Sequence, residues 1–412
     1  MHRPPRPLLS RCLVALLGAL MACSDDASTQ TQADAPDVQG DSAADPPSDE
    51  GSPDSPSDDP DPVPPDMDGA EVDDAPSADA PPDVEVAPDM DVSPDVDVSP
   101  DVDVSPDADV PDGPPAIGAW SALPPLPRGP RQENAVLALD GALYVLGGFQ
   151  GLQVSPLVEV YEPALGRWRD GEPLPTRMHH LNAAVWEGQI YVLGFLTETS
   201  FTPDGRAFRY DPQEGVWSPL ASMPRGAERG AGVAAALGER IYVVGGLRGG
   251  AVADVSAYDP ASDTWSARAP LPEPLDHLVG GVVGGTLMVA GGRDGGLRSH
   301  TSALYAYDPR ADRWEAKTPM PTSRAGHAAA VWDGKLYVFG GEGNPDDPSG
   351  VFPQTEVYDP ASDTWSPLAP MPTPRHGTGA ATLGATLYVP GGADVQGFGA
   401  VDTFEAFMPA PR

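Results

Sequence analysis

The sequence predicts an all-β fold in which one unit of four antiparallel strands occurs six times. Six tryptophans recur at intervals of 48 to 51 residues, namely Trp120, Trp168, Trp217, Trp265, Trp314 and Trp365. Five glycine pairs recur with the same period, namely Gly147–Gly148, Gly245–Gly246, Gly291–Gly292, Gly340–Gly341 and Gly391–Gly392. A Tyr-Asp-Pro or Tyr-Glu-Pro triplet precedes five of the tryptophans, beginning at Tyr161, Tyr210, Tyr258, Tyr307 and Tyr358.

The fifth unit shows the four strands most clearly. They are predicted over residues 328–332, 335–339, 355–358 and 364–368. Asp333-Gly334 separates the first two and is typical of a two-residue hairpin turn. Pro360 stands in the turn before the fourth strand, where its fixed φ favours a reversal of the chain. The first strands are rich in Ala, Val and Gly, which suits packing near a crowded central axis.

This order of strand, Gly-Gly, Tyr-Asp-Pro and Trp resembles the kelch repeat. The resemblance covers residues 116–412, and six regularly spaced copies make it specific. It implies a six-bladed kelch-type β-propeller in which each blade is one four-stranded sheet.

The two ends of the repeat region predict how the ring closes. The segment around Trp120 has the character of a fourth strand with no first three before it. The segment around Phe404 has the character of a third strand with no fourth after it. We therefore expect these two strands to pair and complete the sixth blade, which also covers edges that would otherwise be free to pair with other chains.

Residues 1–22 predict a signal peptide. They contain Arg3, Arg6 and Arg11 before an apolar run that is too short to span a bilayer. The run ends Leu20-Met21-Ala22-Cys23, which resembles the bacterial lipobox. That resemblance implies a lipoprotein acylated on Cys23 and anchored in the cell envelope, at the outer membrane or cell surface rather than the inner membrane. An ordinary secretory signal with an incidental Cys23 is the alternative.

Residues 23–115 predict a disordered acidic tether. The segment from Ser24 to Pro115 carries 29 acidic residues and no Lys or Arg, within a chain of net charge −37. Such a composition buries too little apolar surface to offset the entropy of ordering. Clustered carboxylates could hold divalent cations weakly, but nothing in the repeat sets a coordination geometry, so a solvated spacer is favoured. The charge also argues against nucleic acid as a partner.

One face of the propeller carries the loops that enter the first strands and leave the second, and function usually lies on such loops. Candidate ligand-binding residues there are Arg131, Arg177, Arg229, His277, Arg324 and Arg375. As a ring of cations they would bind a carboxylate, and a related kelch propeller binds an acidic peptide through arginines at this loop. The other interpretation is that these arginines bond loop carbonyls and brace the blades. The loops over residues 195–206 and 342–352 are the longest and are further candidate specificity elements.

The histidines of these loops are spread over four blades without the usual spacing of metal ligands, so the sequence predicts no metal site and no cofactor. The only cysteines, Cys12 and Cys23, lie before the repeats, which excludes a cysteine-based metal or radical site in the folded part.

Three functions follow. The first is a monomeric, membrane-anchored and non-catalytic module that binds a protein, peptide or glycan, with an acidic ligand as one option. The second is an envelope carbohydrate-active enzyme resembling the kelch sugar mutarotases, for which Arg177, Arg324, Glu133 and Asp276 are available. The third is a structural surface protein. Because kelch folds host many activities, the sequence does not decide whether the protein is an enzyme.

Overall fold

The computed structural model describes residues 117–296 and 298–410, so the predicted signal peptide and tether lie outside the described residues. The described chain forms strands, turns and loops. The strands are β1 (Ala119–Ala122), β2 (Ala135–Leu139), β3 (Ala142–Leu146), β4 (Phe149–Gln150), β5 (Gln153–Val154), β6 (Val158–Glu162), β7 (Arg167–Asp170), β8 (Ala183–Trp186), β9 (Gln189–Thr197), β10 (Thr202–Asp211), β11 (Val216–Leu220), β12 (Val233–Leu237), β13 (Arg240–Val244), β14 (Val255–Asp259), β15 (Thr264–Arg268), β16 (Val279–Val283), β17 (Thr286–Ala290), β18 (Leu304–Asp308), β19 (Arg313–Ala316), β20 (Ala328–Trp332), β21 (Lys335–Phe339), β22 (Thr355–Asp359), β23 (Thr364–Pro367), β24 (Ala381–Leu383), β25 (Thr386–Pro390) and β26 (Phe404–Met408).

Six four-stranded antiparallel sheets form the blades of a β-propeller. In chain order they are β2-β3-β6-β7, β8-β9-β10-β11, β12-β13-β14-β15, β16-β17-β18-β19, β20-β21-β22-β23 and β24-β25-β26-β1. We call them blades one to six. The first strand of each blade contacts the first strands of both neighbours, in the closed circuit β2-β8-β12-β16-β20-β24-β2. The predicted six-bladed fold is therefore confirmed, and in the fifth blade the first two strands begin and end at the predicted residues.

The termini close the ring as predicted. Strand β1 pairs with β26 so that Trp120 lies opposite Phe407 and Ala122 lies opposite Glu405. Blade six thus takes three strands from the end of the folded chain and its outer strand from the beginning.

The recurrent tryptophans link each blade to the one before it. Every one lies opposite an aromatic residue of the third strand, with ring centroids 4.9–5.2 Å apart. Each indole Nε1 also donates a hydrogen bond of 2.8–3.2 Å to a backbone carbonyl of the preceding blade, as Trp120 does to Ala369. The period of the tryptophans is therefore the period of the contacts between blades.

The turn chemistry also follows the sequence. At Asp333 and Gly334 φ is +50° and +70°, the left-handed pair that a type I′ hairpin requires. One loop differs from expectation, because residues 195–206 are largely an extension of the hairpin of β9 and β10, with a bulge between Asp204 and Ala207. Apolar side chains at the start of this segment, such as Phe195 and Leu196, are fully buried and favour continued pairing.

Among residues 117–296 and 298–410, no helix is long and apolar enough to cross a membrane.

The terminal pairing yields the first testable prediction. Replacing Trp120 by Ala removes the contacts of its indole with Phe339 and Phe407 and the bond to Ala369. We expect the free energy of unfolding to fall by about 3 kcal/mol in chemical denaturation. The control Leu165→Ala changes a side chain that is 60% exposed and should leave stability nearly unchanged. Equal stability of the two variants would contradict the role given to β1.

Candidate functional site

Six backbone hydrogen bonds form a closed ring around the mouth of the central channel. One residue of each blade, just before its first strand, donates its N–H to the carbonyl of the equivalent residue in the preceding blade. The donor–acceptor pairs are Glu133–Gly377, His180–Glu133, Ala231–His180, His277–Ala231, Gly326–His277 and Gly377–Gly326, at 2.5–3.0 Å. All six residues have a left-handed φ of +50° to +64°. We call these residues the channel ring.

Three members of the channel ring carry side chains that can bind or exchange protons. Nε2 of His180 lies 3.0 Å from Oε2 of Glu133 and 2.9 Å from Nε2 of His277. The other members of the channel ring are alanine and glycine, and their small size leaves the channel mouth open to these three side chains. A Cβ at Gly377 would lie 2.6 Å from Oε1 of Glu133, and glycine there makes room for the carboxylate. These three side chains, the channel-mouth cluster, line a cavity of about 260 Å³.

A second layer of polar groups surrounds His277. Its Nδ1 donates to Oδ1 of Asp276 at 2.6 Å. Arg293 donates from Nε to the same carboxylate at 3.0 Å and from Nη1 to Glu342 at 2.8 Å. His277 therefore lies between Asp276 and Arg293. The positive charge of Arg293 is balanced by the carboxylates of Asp276 and Glu342.

Hydrogen bonds also set the orientation of His180. Nε2 of His179 lies 2.9 Å from the carbonyl oxygen of Glu198, which can only accept, so this nitrogen carries the hydrogen. Burial and the neighbouring His180 lower the pKa of His179 to about 3, so its Nδ1 has a lone pair near neutral pH. Nδ1 of His180 lies 2.5 Å from that atom and must donate to it. Nε2 of His180 then faces Glu133 and His277.

The charges of the cluster follow from its surroundings. Burial alone would raise the pKa of Glu133, but His180, with His277 and His376, lowers it below the usual value. Burial would likewise raise the pKa of Asp276, but His277 and Arg293 lower it. Burial and then the charge of Arg293 lower the pKa of His277. Near neutral pH Glu133 and the neighbouring Asp276 are therefore ionised, and His277 is neutral.

Four of the six residues predicted to bind ligand do not face the channel. Arg131, Arg229, Arg324 and Arg375 are at most 1% exposed. A buried guanidinium needs acceptors for its donors, and the surrounding protein supplies them to every nitrogen of these four groups except Nε of Arg131 and of Arg324. Only the interpretation that these arginines brace the blades fits this arrangement.

The bracing contacts repeat from blade to blade. Arg324 donates to the carbonyl oxygens of Gly340 and Gln354 and, at 2.5 Å, to the carboxylate of Glu356 on the third strand. Arg131 pairs in the same way with Glu159, and Arg375 with Glu405. Arg229 instead donates to four backbone carbonyls and the hydroxyl of Ser256.

The backbone of the same arginine loops explains the glycine pairs. The N–H of Gly341 donates to the carbonyl oxygen of Arg375 in the next blade at 3.0 Å. A Cβ on Gly340 would lie 2.2 Å from that oxygen, and φ of Gly340 is +61°. Only glycine permits so close an approach of two blades.

Arg177 is exposed and remains a candidate ligand-binding residue. Its Nη1 donates to the carbonyl oxygen of Val154 at 2.7 Å. It lines a groove of about 650 Å³ together with Leu152, Asp204 and Arg206. A second groove of about 480 Å³ lies on the other side of Leu152 and is lined by Phe398 and Pro130 among others.

The sequence indicated Glu133, Asp276, His277 and the loop that begins at Glu342 as candidates, but it did not show that these residues meet in space. A signal was present, because the channel ring lies two residues after the arginine position in most repeats, as Glu133 follows Arg131. Which of these side chains meet across the mouth depends on the diameter of the closed ring.

The buried arginines yield a second prediction. Arg324→Ala leaves the carboxylate of Glu356 buried without its partner and should lower the free energy of unfolding by about 3–5 kcal/mol. Arg310 is exposed on the opposite face, so Arg310→Ala should change it by no more than about 0.5 kcal/mol. Chemical denaturation measures both. An Arg324→Ala variant as stable as the parent would contradict the bracing role.

Sequence comparisons detect kelch repeats in both halves of the propeller. Residues 268–406 match the KLHDC2/KLHL20/DRC7 Kelch-repeats domain, and residues 130–175 and 229–272 match the Kelch motif. Among solved structures, the structure of YjhT superposes with a TM-score of 0.57 at 16% identity, covering 69% of this chain and 96% of the other. That likeness concerns the fold alone.

Curated relatives share the repeat region. Kelch-like protein 35 of Mus musculus is 33% identical over 43% of this chain, which spans 30% of that relative. Kelch-like protein 34 of Homo sapiens is 33% identical over 55% of this chain, which spans 36% of that relative. Kelch-like protein terF of Aspergillus terreus is 33% identical over 72% of this chain and 69% of its own length. By these repeats, this fold and this relative, the chain belongs to the family of kelch-repeat proteins.

Proposed function

We propose that this protein is a lipid-anchored binding protein of the cell envelope that holds a segment of a protein partner across the loop face of blades six, one and two. One observation carries the binding function. Leu152, which is 68% exposed, is a shared wall of the two grooves on this face, so the grooves form one continuous surface.

The two sides of that surface differ in chemistry. On one side, Phe398 is 48% exposed and stands with Leu152 and Pro130 around the smaller groove. On the other, Arg177 keeps guanidinium donors beyond the one bonded to Val154 and can bind a carboxylate. A peptide segment with an apolar side chain near an acidic one fits both sides. A glycan fits less well, because the apolar side offers it few hydrogen-bonding groups.

The neighbouring loops make this surface rigid. Nε2 of Gln132 donates to the carbonyl oxygen of Gly397 at 2.7 Å, and the N–H of Gly399 donates to Oε1 of Gln132 at 2.9 Å. The loop that carries Phe398 is thereby attached to blade one. A partner would dock on a surface that is already ordered, which limits the entropy lost on binding.

The anchor in this proposal is acylated Cys23, followed by the acidic tether of residues 23–115. At about 3.1 Å per residue an extended tether of this length reaches on the order of 290 Å. The carboxylates repel one another and favour extended conformations, so the propeller would be displayed away from the membrane.

The alternative of a carbohydrate-active enzyme requires an acid–base pair, and Glu133 with His180 is such a pair at hydrogen-bond distance. We favour the binding function because the exposed apolar and charged side chains lie on the outer loops, whereas this pair is largely buried at the channel mouth.

Anchoring yields the third prediction. Cys23→Ser removes the thiol that would be acylated, so the protein should move from the membrane fraction to the soluble fraction and lose incorporated fatty acid. Fractionation and metabolic labelling measure this, and Cys12→Ser, within the predicted signal peptide, is the matched control. A Cys23→Ser protein that still incorporates fatty acid would contradict lipidation at this residue.

The docking surface yields the fourth prediction. A photo-crosslinking amino acid at position 152 should capture a discrete partner in the native envelope, whereas the same group at exposed position 165, in a turn of the opposite face, should not. Phe398→Asp and Arg177→Glu should each reduce capture from position 152 at least severalfold, since each removes one side of the surface. Equal capture from both positions, or capture that neither substitution affects, would contradict the proposal.

A further inference from the structure

We propose that Glu133, His180 and His277 bind one zinc ion at the mouth of the central channel. The three side chains come from blades one, two and four, and one potential ligand atom of each lies within 4.8 Å of the others. Two imidazole nitrogens and a carboxylate oxygen form a common donor set for zinc in sites that keep a fourth position open.

The distances suit a small ion. Ligand atoms about 2.0–2.1 Å from a tetrahedral zinc lie about 3.4 Å from one another. Nε2 of His180 is 2.9 Å from Nε2 of His277 and 3.0 Å from Oε2 of Glu133, and all three ligand atoms lie within 4.8 Å of one another. Side-chain rotations would have to lengthen the two short distances and make the three separations equal. The channel ring holds the three backbones at fixed positions, which limits the cost of assembling the site.

Hydrogen bonds behind the cluster orient its two imidazole rings. Asp276 accepts from Nδ1 of His277, an arrangement typical of metal-binding histidines, and leaves Nε2 to face the centre. Nδ1 of His180 lies 2.5 Å from Nδ1 of His179, so Nε2 is the nitrogen of this ring that faces the centre. Two ring nitrogens and a carboxylate oxygen thus converge on one point, and at these distances a proton or a metal ion must lie among them.

Arg293 also contacts His277, with its Nη2 2.7 Å from Nδ1 and 3.0 Å from Nε2 of the ring. Binding of an ion at Nε2 therefore displaces Nη2 from that atom. Arg293 keeps its bonds from Nε to Asp276 and from Nη1 to Glu342. Formal charges agree with a divalent ion, since Glu133, Asp276 and Glu342 outweigh Arg293 by two negative units.

His376 lies beside the site. Its Nε2 donates to the carbonyl oxygen of Val395. Its Nδ1 has no hydrogen-bond partner among the described residues, although the residue is only 2% exposed. This atom lies 3.8 Å from Oε2 of Glu342 and 3.9 Å from Oε1 of Glu133, on the rim of the same cluster. A ring nitrogen in this position can form a hydrogen bond with a water bound to the ion.

The fifth prediction tests zinc binding in the full chain carrying Cys12→Ser and Cys23→Ser, which removes every thiol. Dialysis against zinc chloride with millimolar calcium, which occupies the carboxylates of the tether, should leave one zinc per chain by elemental analysis. Cobalt in place of zinc should give the visible absorption of a site with nitrogen ligands. His180→Gln and Glu133→Gln should each abolish both signals, and Asp276→Asn should weaken zinc affinity about 10- to 100-fold.

His300→Gln is the matched control, because His300 lies on the same loop face outside the cluster and should leave binding unchanged. Thermal unfolding without zinc verifies that each variant folds. Two variants, His180→Gln and Glu133→Gln, are used so that the test still stands if one of them does not fold. Equal zinc content in the parent and in the folded His180→Gln and Glu133→Gln variants would assign the metal to the tether. A folded parent that retains no zinc would show that the three groups share only a proton. Either result overturns the proposal.

Discussion

The pairing of β1 with β26 is the contact on which the other features of the propeller depend. Without it the sixth blade lacks its outer strand, and Trp120 cannot bond Ala369 of the fifth. Closure also places Gly377 of the last blade beside Glu133 of the first, where their backbone bond completes the channel ring. The candidate site is thus a product of ring closure, since no single blade contains it.

Two kinds of charged group occupy the same loops and serve different purposes. The arginines at positions 131, 229, 324 and 375 point into their own blades and satisfy buried carbonyls and carboxylates. Two positions after each of these arginines stands a residue of the channel ring, which has a left-handed φ and whose backbone bonds join neighbouring blades. In one loop, therefore, the arginine braces its own blade, and the residue two positions later belongs to the channel ring.

The strands, the blade boundaries and the closing strand could be predicted because they depend on local chemistry that recurs with a fixed period. Tyr358 and Trp365 lie opposite each other in one blade, and every other blade has an equivalent aromatic pair. The arginines illustrate where that reasoning fails. Because arginine recurs at the position of Arg324 in other blades, the sequence indicated a common role for these residues. Only their burial shows that they brace the blades and do not bind a ligand.

By itself the sequence determined a six-bladed kelch propeller with its closing strand and its loop face, because periodic spacing and turn residues act locally. Only the tertiary structure decided that Glu133, His180 and His277 meet, and that Leu152 joins two grooves. These residues come from different blades, and their separation in space is set by the diameter of the closed ring and the tilt of the loops. Neither quantity is encoded in the neighbourhood of any one residue.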